Sequence, residues 1–179
     1  MNKTPLLALP LLLASLPSFA LDWHVGVGAA AELDGRGPTV AGVEPEAGTA
    51  WTLLAGARHR SGFGVELAWL DLGRLEVPGI ADAGYRVDGS LFSAGVTYAP
   101  DTGPLQPYAK LGWFSRSEDG TALTIAGPRP FELDDDGVMA EVGGRWQFDA
   151  AWALRLGYAW YDFDDGADGS VQAVAELRF

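Results

Sequence analysis

The chain contains no cysteine, so no disulfide framework can hold it together. Cations are scarce: 12 Lys and Arg stand against 24 Asp and Glu, a formal charge of −12. With no basic stripe to displace phosphate counterions, nucleic-acid binding is excluded as an expectation. Only two histidines are present, His24 and His59, which narrows the options for acid–base chemistry. Long apolar runs are missing as well. No window after the first twenty residues approaches the ~18 uninterrupted apolar residues of a membrane helix, so any span must be built from strands.

What is abundant is alternation. From Trp152 to Trp160 the large apolar residues Trp152, Leu154, Leu156, Tyr158 and Trp160 take every second place, with Arg155, Gly157 and Ala159 between them. After an acidic turn, Asp162 to Asp168, Val171, Ala173, Ala175, Leu177 and Phe179 alternate with Gln172, Val174, Glu176 and Arg178. Period 2 over this length is the mark of strands with one apolar and one more polar face. The sequence stops on an aromatic ring of the apolar face. That suits a last strand which closes a barrel in lipid better than the edge of a soluble sandwich.

The same pattern recurs upstream. Residues Met1 to Ala20 read as a secretory signal peptide, with Lys3 in the n-region, Leu6 to Leu16 as h-region and Ser18-Phe19-Ala20 before the cleavage point. The domain proper is then 21–179. Strands are predicted at about Asp22–Leu33, Thr49–Arg60, Phe63–Leu72, Tyr85–Ala99, Gln106–Arg116 and Val138–Phe148, followed by the final pair. Long loops are expected at Asp34–Gly48, Gly73–Gly84 and Ser117–Gly137, with tight turns at Ser61-Gly62, Pro100 to Gly103 and Asp149 to Ala151. Eight strands, with long and short connections in alternation, predict an all-β, eight-stranded antiparallel up-and-down transmembrane β-barrel. Aromatics near strand ends (Trp23, Trp51, Phe63, Trp69, Tyr98, Phe148, Trp152, Trp160 and Phe179) would form its two interfacial girdles.

The segments Gly64–Leu75 (GVELAWLDLGRL), Gln106–Phe114 (QPYAKLGWF), Ala153–Phe163 (ALRLGYAWYDF) and the terminal strand ending in Phe179 give the chain a resemblance to a known family. It resembles the transmembrane domain of the outer-membrane protein A family of small eight-stranded barrels, over essentially the whole of 21–179. The resemblance implies a bacterial outer-membrane location and a structural, adhesive or small-pore role. No peptidoglycan-binding domain follows the barrel in this sequence, so no cell-wall tether is expected.

Seven charged residues fall on the inward register: Arg58, Glu66, Lys110, Glu141, Arg145, Arg155 and Glu176. Unpaired charge in a narrow lumen is costly, so these are expected to pair and plug the barrel. Glu66 and Lys110, flanked by Gly64, Ala68 and Gly112, have room to reach across. The function expected is structural or surface-interacting and non-enzymatic, without cofactor or metal. The alternative is a small pore gated by the internal network, with Glu66 and Lys110 as gate partners; a lipid A-modifying enzyme comes third. The enzyme reading rests on His59-Arg60-Ser61, a His-x-Ser pair that wants a carboxylate. Asp162 to Asp168 echoes a calcium loop without its full spacing; with Asp134 to Asp136 it suggests a weak divalent-cation site, against plain solvation. The expected partners are outer-membrane lipid and lipopolysaccharide, and the barrel-assembly machinery reading Phe179 as a sorting signal. The protein is expected to be a monomer.

Overall fold

The structure, a computed structural model, describes residues 21–32, 49–77, 84–124, 127–163 and 166–179. The expected leader at 1–20 and the loop at 34–48 lie outside the described residues. Eight strands follow one another: β1 (Leu21–Glu32), β2 (Thr49–His59), β3 (Phe63–Val77), β4 (Gly84–Tyr98), β5 (Leu105–Thr124), β6 (Gly127–Gln147), β7 (Trp152–Phe163) and β8 (Gly166–Arg178). Each pairs antiparallel with its sequence neighbour, and β8 closes on β1. The fold is the expected closed barrel.

Closure is visible at the seam. The Trp23 and Phe179 amides each donate to the other's carbonyl, at 3.3 and 3.0 Å. The register fixes the shape. The partner path Asp22–Arg58–Gly64–Thr97–Lys110–Glu141–Ala159–Ser170–Glu32 returns to β1 ten residues from its start. Eight strands with that stagger tilt by about 40° and enclose a space that side chains just fill.

Alternation sorts the residues as the sequence predicts. Val25, Val27, Leu53, Val65, Leu67, Val96, Leu111, Val142 and Leu156 are exposed on the outer face. Two rings of aromatics bound them. Trp51, Trp69, Phe92, Trp113 and Trp160 stand at one end; Trp23, Phe63, Tyr98, Trp146, Phe148, Trp152 and Phe179 stand at the other. All nine girdle residues named from the sequence are outward and exposed. A soluble protein would not leave such a belt in water; lipid gives it a solvent.

Three expectations about the connections are corrected. The long loop expected at Ser117–Gly137 is instead a continuation of β5 and β6, paired without a break from Leu105↔Trp146 to Thr124↔Gly127. Only residues 125–126 separate the two strands. Cross-strand side chains hold this extension: Ser117 donates to Asp134 at 2.8 Å, and the Trp113 indole to Asp136 at 3.1 Å. Phe131 lies over its partner Gly120, filling the place of the missing side chain. Likewise, β3 runs to Val77 rather than Leu72, past a register shift between Asp71 and Gly73. Gly73 takes the left-handed φ of 67° there, a conformation that glycine adopts without steric penalty. The acidic turn at 162–168 is mostly strand, β7 reaching Phe163 and β8 starting at Gly166. The barrel thus has a turn end, carrying the three tight connections, and an extended end.

Candidate functional site

The interior is layered. At the turn end, a polar vestibule of about 580 Å³ opens among Asp22, Arg58, Arg60, Gln106, Gln147 and Arg178. Beyond it comes a layer of charge, and beyond that an apolar layer of Leu54, Leu70, Leu72, Leu91, Phe114, Met139 and Val174. All seven charged residues singled out from sequence point inward, and six of them are buried; Arg58, facing the vestibule, is half-buried.

Glu66, on β3, is the hub. Arg155 of β7 grips it with two nitrogens, at 2.7 and 3.4 Å. Lys110 of β5 reaches the same carboxylate at 3.1 Å, Tyr108 Oη donates at 3.4 Å, and His24 Nε2 lies 3.7 Å away. The expected Glu66–Lys110 contact is therefore present, but Arg155 is the stronger partner. Its guanidinium also faces Glu141 at 3.4 Å and Glu176 at 3.6 Å, and it lies over the Tyr108 ring, 4.4 Å from the centroid. Lys110 divides its donors between Glu66 and Ser93. A second knot lies nearer the vestibule. Arg145 binds Glu176 at 2.5 Å, and both Arg145 and Arg58 donate to the amide oxygen of Gln106, at 3.1 and 3.2 Å.

Such a network needs space, and glycine on the inward register supplies it. A Cβ at Gly56 would come within 2.7 Å of the His24 ring, and one at Gly157 within 2.9 Å of the Glu141 carboxylate. The residues that the charge list missed, His24, Tyr108, Gln106 and the Asp22–Arg178 pair at 2.6 Å, occupy the same register. The signal was there: each is a polar or aromatic residue at an inward place of an alternating strand.

The remaining candidates fare differently. His59 and Ser61 do meet, with Nδ1 2.9 Å from Oγ, but the Ser61 backbone N–H also donates to Nδ1 at 3.2 Å. This is local turn geometry, and no described carboxylate reaches the ring. Gly62 closes the same turn with φ of 90° and its N–H on the His59 carbonyl. Asp164 and Asp165, central to the calcium-like motif, lie outside the described residues. Asp134 and Asp136 are engaged with Ser117 and Trp113 on the β5–β6 ladder. Among the described residues no group of three or more His, Cys, Asp or Glu could hold a metal. Phe179 lies at the seam with its ring exposed.

Comparison with known proteins agrees with this architecture. The family model described as an outer membrane protein beta-barrel domain matches residues 6–179. A search of curated proteins finds no match. Among solved structures, OprG of Pseudomonas aeruginosa superposes with a TM-score of 0.63 at 15% identity, covering 88% of this chain and 95% of that one. Ail, the attachment invasion locus protein of Yersinia pestis, in complex with the heparin analogue sucrose octasulfate, gives 0.61 at 13%, covering 89% and 99%. The N-terminal β-barrel domain of Pseudomonas aeruginosa OprF gives 0.60 at 10%, covering 88% and 97%. At these identities the likeness is one of fold.

Proposed function

Because the chain belongs to the outer membrane protein β-barrel domain family, we propose that it is a sealed, non-enzymatic barrel of the bacterial outer membrane that presents its extended end for surface interactions. The family and its neighbours are bacterial outer-membrane proteins, so the apolar belt faces lipid, and the tight turns face the periplasm as in other such barrels. The carrying observation is the double closure of the lumen. Ion pairs centred on Glu66 and Arg155 block one level; Leu54, Leu70, Phe114, Met139 and Val174 block the next.

That second layer weighs against the gated pore. Lys110 is the cross-strand partner of Glu141 yet reaches Glu66, so an exchange of partners is geometrically available. Rearranging the ion pairs alone would leave the apolar layer across the path, and an ion crossing it would lose its hydration without replacement. The enzyme reading has less support still, since the His59–Ser61 contact is a turn. Among the described residues, the longest part at the extended end is the β5–β6 extension, whose acids Asp119, Glu132, Asp134 and Asp136 are exposed. Lipopolysaccharide is the nearest neighbour there, and the barrel works as a monomer.

The test is current through a planar lipid bilayer carrying the purified barrel. No reproducible step above background is expected. Uniform single-channel steps abolished by an Arg155 substitution would instead establish the gated pore.

A further inference from the structure

The strand-borne charges between the vestibule and the apolar layer do not balance. Arg58, Lys110, Arg145, Arg155 and Arg178 face Asp22, Glu66, Glu141 and Glu176. The surplus cation is identifiable. Arg155 and Lys110 share Glu66, Arg145 holds Glu176 and Arg178 holds Asp22, whereas Arg58 has no described carboxylate within ion-pair distance. Its one side-chain hydrogen bond goes to the neutral amide oxygen of Gln106, at 3.2 Å. That same oxygen accepts from Arg145 at 3.1 Å, so two guanidiniums converge on an uncharged atom.

A guanidinium has five N–H donors, and Arg58 uses one of them on a described side chain. The group is half-buried and lines the 580 Å³ vestibule beside Arg60 and Arg178. Asp22, Asp101 and Asp149 line the same vestibule and match its three arginines in formal charge, but the carboxylates of Asp101 and Asp149 are turned to local hydrogen bonds. Asp101 accepts from Gln106 Nε2 at 3.2 Å and from the Gly103 amide at 3.4 Å. Asp149 accepts from the Ala151 and Trp152 amides, both at 2.7 Å. The Arg58 guanidinium is therefore left with unused donors and no described carboxylate in ion-pair contact, and its planar fork is matched to oxyanions.

We propose that the periplasmic vestibule is a binding site for a phosphate-type oxyanion, received by the Arg58 guanidinium with Arg178 at its flank. The phosphate can belong to a soluble periplasmic ester or to a phospholipid headgroup of the inner leaflet at the barrel rim. Binding is reversible and involves no covalent step. It is independent of conduction, because Arg58 and Arg178 line the vestibule on the turn side of the Glu66–Arg155 network.

Nitrogen-15 NMR of the arginine Nε–Hε groups tests it, with the whole chain folded in maltoside micelles that carry no phosphate. Inorganic phosphate should shift the Arg58 resonance and the Gln106 amide along a saturating curve. Arg58→Gln, checked for folding by its compact mobility on unheated gels, should abolish the shift at Gln106. If that variant does not fold, the saturation curve of the unmodified protein decides by itself. Linear shifts, or equal shifts with sodium chloride at the same ionic strength, would overturn the site. In phosphatidylglycerol nanodiscs without added phosphate, an Arg58 resonance already at its bound position identifies the headgroup as the source. One that moves only on phosphate addition identifies a soluble ligand.

Discussion

At the scale of single residues, the interior is a test of what a buried charge costs. Removing one partner of a buried pair leaves the other desolvated and unmatched, at on the order of 3–5 kcal/mol. Arg155 faces three carboxylates, Glu66, Glu141 and Glu176. Arg155→Met is therefore expected to cost that full amount and to lower the thermal midpoint in detergent by more than any other lumen substitution. Lys110→Met is milder, because Glu66 keeps Arg155 and the Tyr108 hydroxyl. Adding Glu66→Gln to Lys110→Met should recover part of the loss, with a coupling of about 0.5 kcal/mol or more. Strictly additive losses across that cycle would show that the two side chains do not act on each other. The existence of the Glu66–Lys110 contact was legible from two inward registers and the small residues around them. The primacy of Arg155 was not, because it depends on which long side chain crosses the lumen from β7, and alternation gives a face without giving a reach.

At the scale of elements, alternation announced every strand, and its failure hid the β5–β6 extension. The stretch from Ser117 to Gly137 holds Glu118, Asp119, Glu132 and Asp134 to Asp136 with Pro128 and Pro130, a composition that reads as loop on propensity alone. Those residues make a strand because each has a partner in register, which a single segment cannot show. The prolines have a positional logic. Gln147 donates its N–H toward β5, to the Pro104 carbonyl, and pairing is unbroken up to Gly127. Residues two, four or more places away share that direction, so those at even numbers face the other way. Pro128 and Pro130 thus sit where an N–H would point to the free edge, beyond Met139, the last β6 residue paired to β7. An edge that lacks two of its N–H donors is a poorer template for a further strand. Replacing both prolines by threonine should leave the barrel folded but promote concentration-dependent association in detergent, measured by light scattering. An unchanged monomer would show that the acids alone protect the edge. The other terminal element makes a different demand. Phe179 contributes two backbone hydrogen bonds to the seam and an exposed ring to the turn-end girdle. Deleting it should reduce outer-membrane insertion and leave protein in the periplasm; undiminished heat-modifiable barrel in outer-membrane fractions would remove it from the sorting signal.

At the scale of the whole molecule, one geometric fact governs the rest. An eight-stranded barrel with a ten-residue stagger has an interior that its own side chains occupy, so what it does must happen at its ends. One end is a polar vestibule walled by arginines and aspartates, which the proposed orientation turns to the periplasm, and the other carries an acidic extension that it turns to the cell exterior. Because the chain has no cysteine, this division can be read directly by introducing one at a time. Asp119→Cys lies on the exposed extension of β5, and Thr102→Cys lies in the exposed turn before it. A polyethylene glycol maleimide too large for porins should label Asp119→Cys on intact cells, and Thr102→Cys only after the outer membrane is opened. Labelling of Thr102→Cys on intact cells, with Asp119→Cys protected, would contradict the orientation and with it the assignment of the acidic extension to the cell surface.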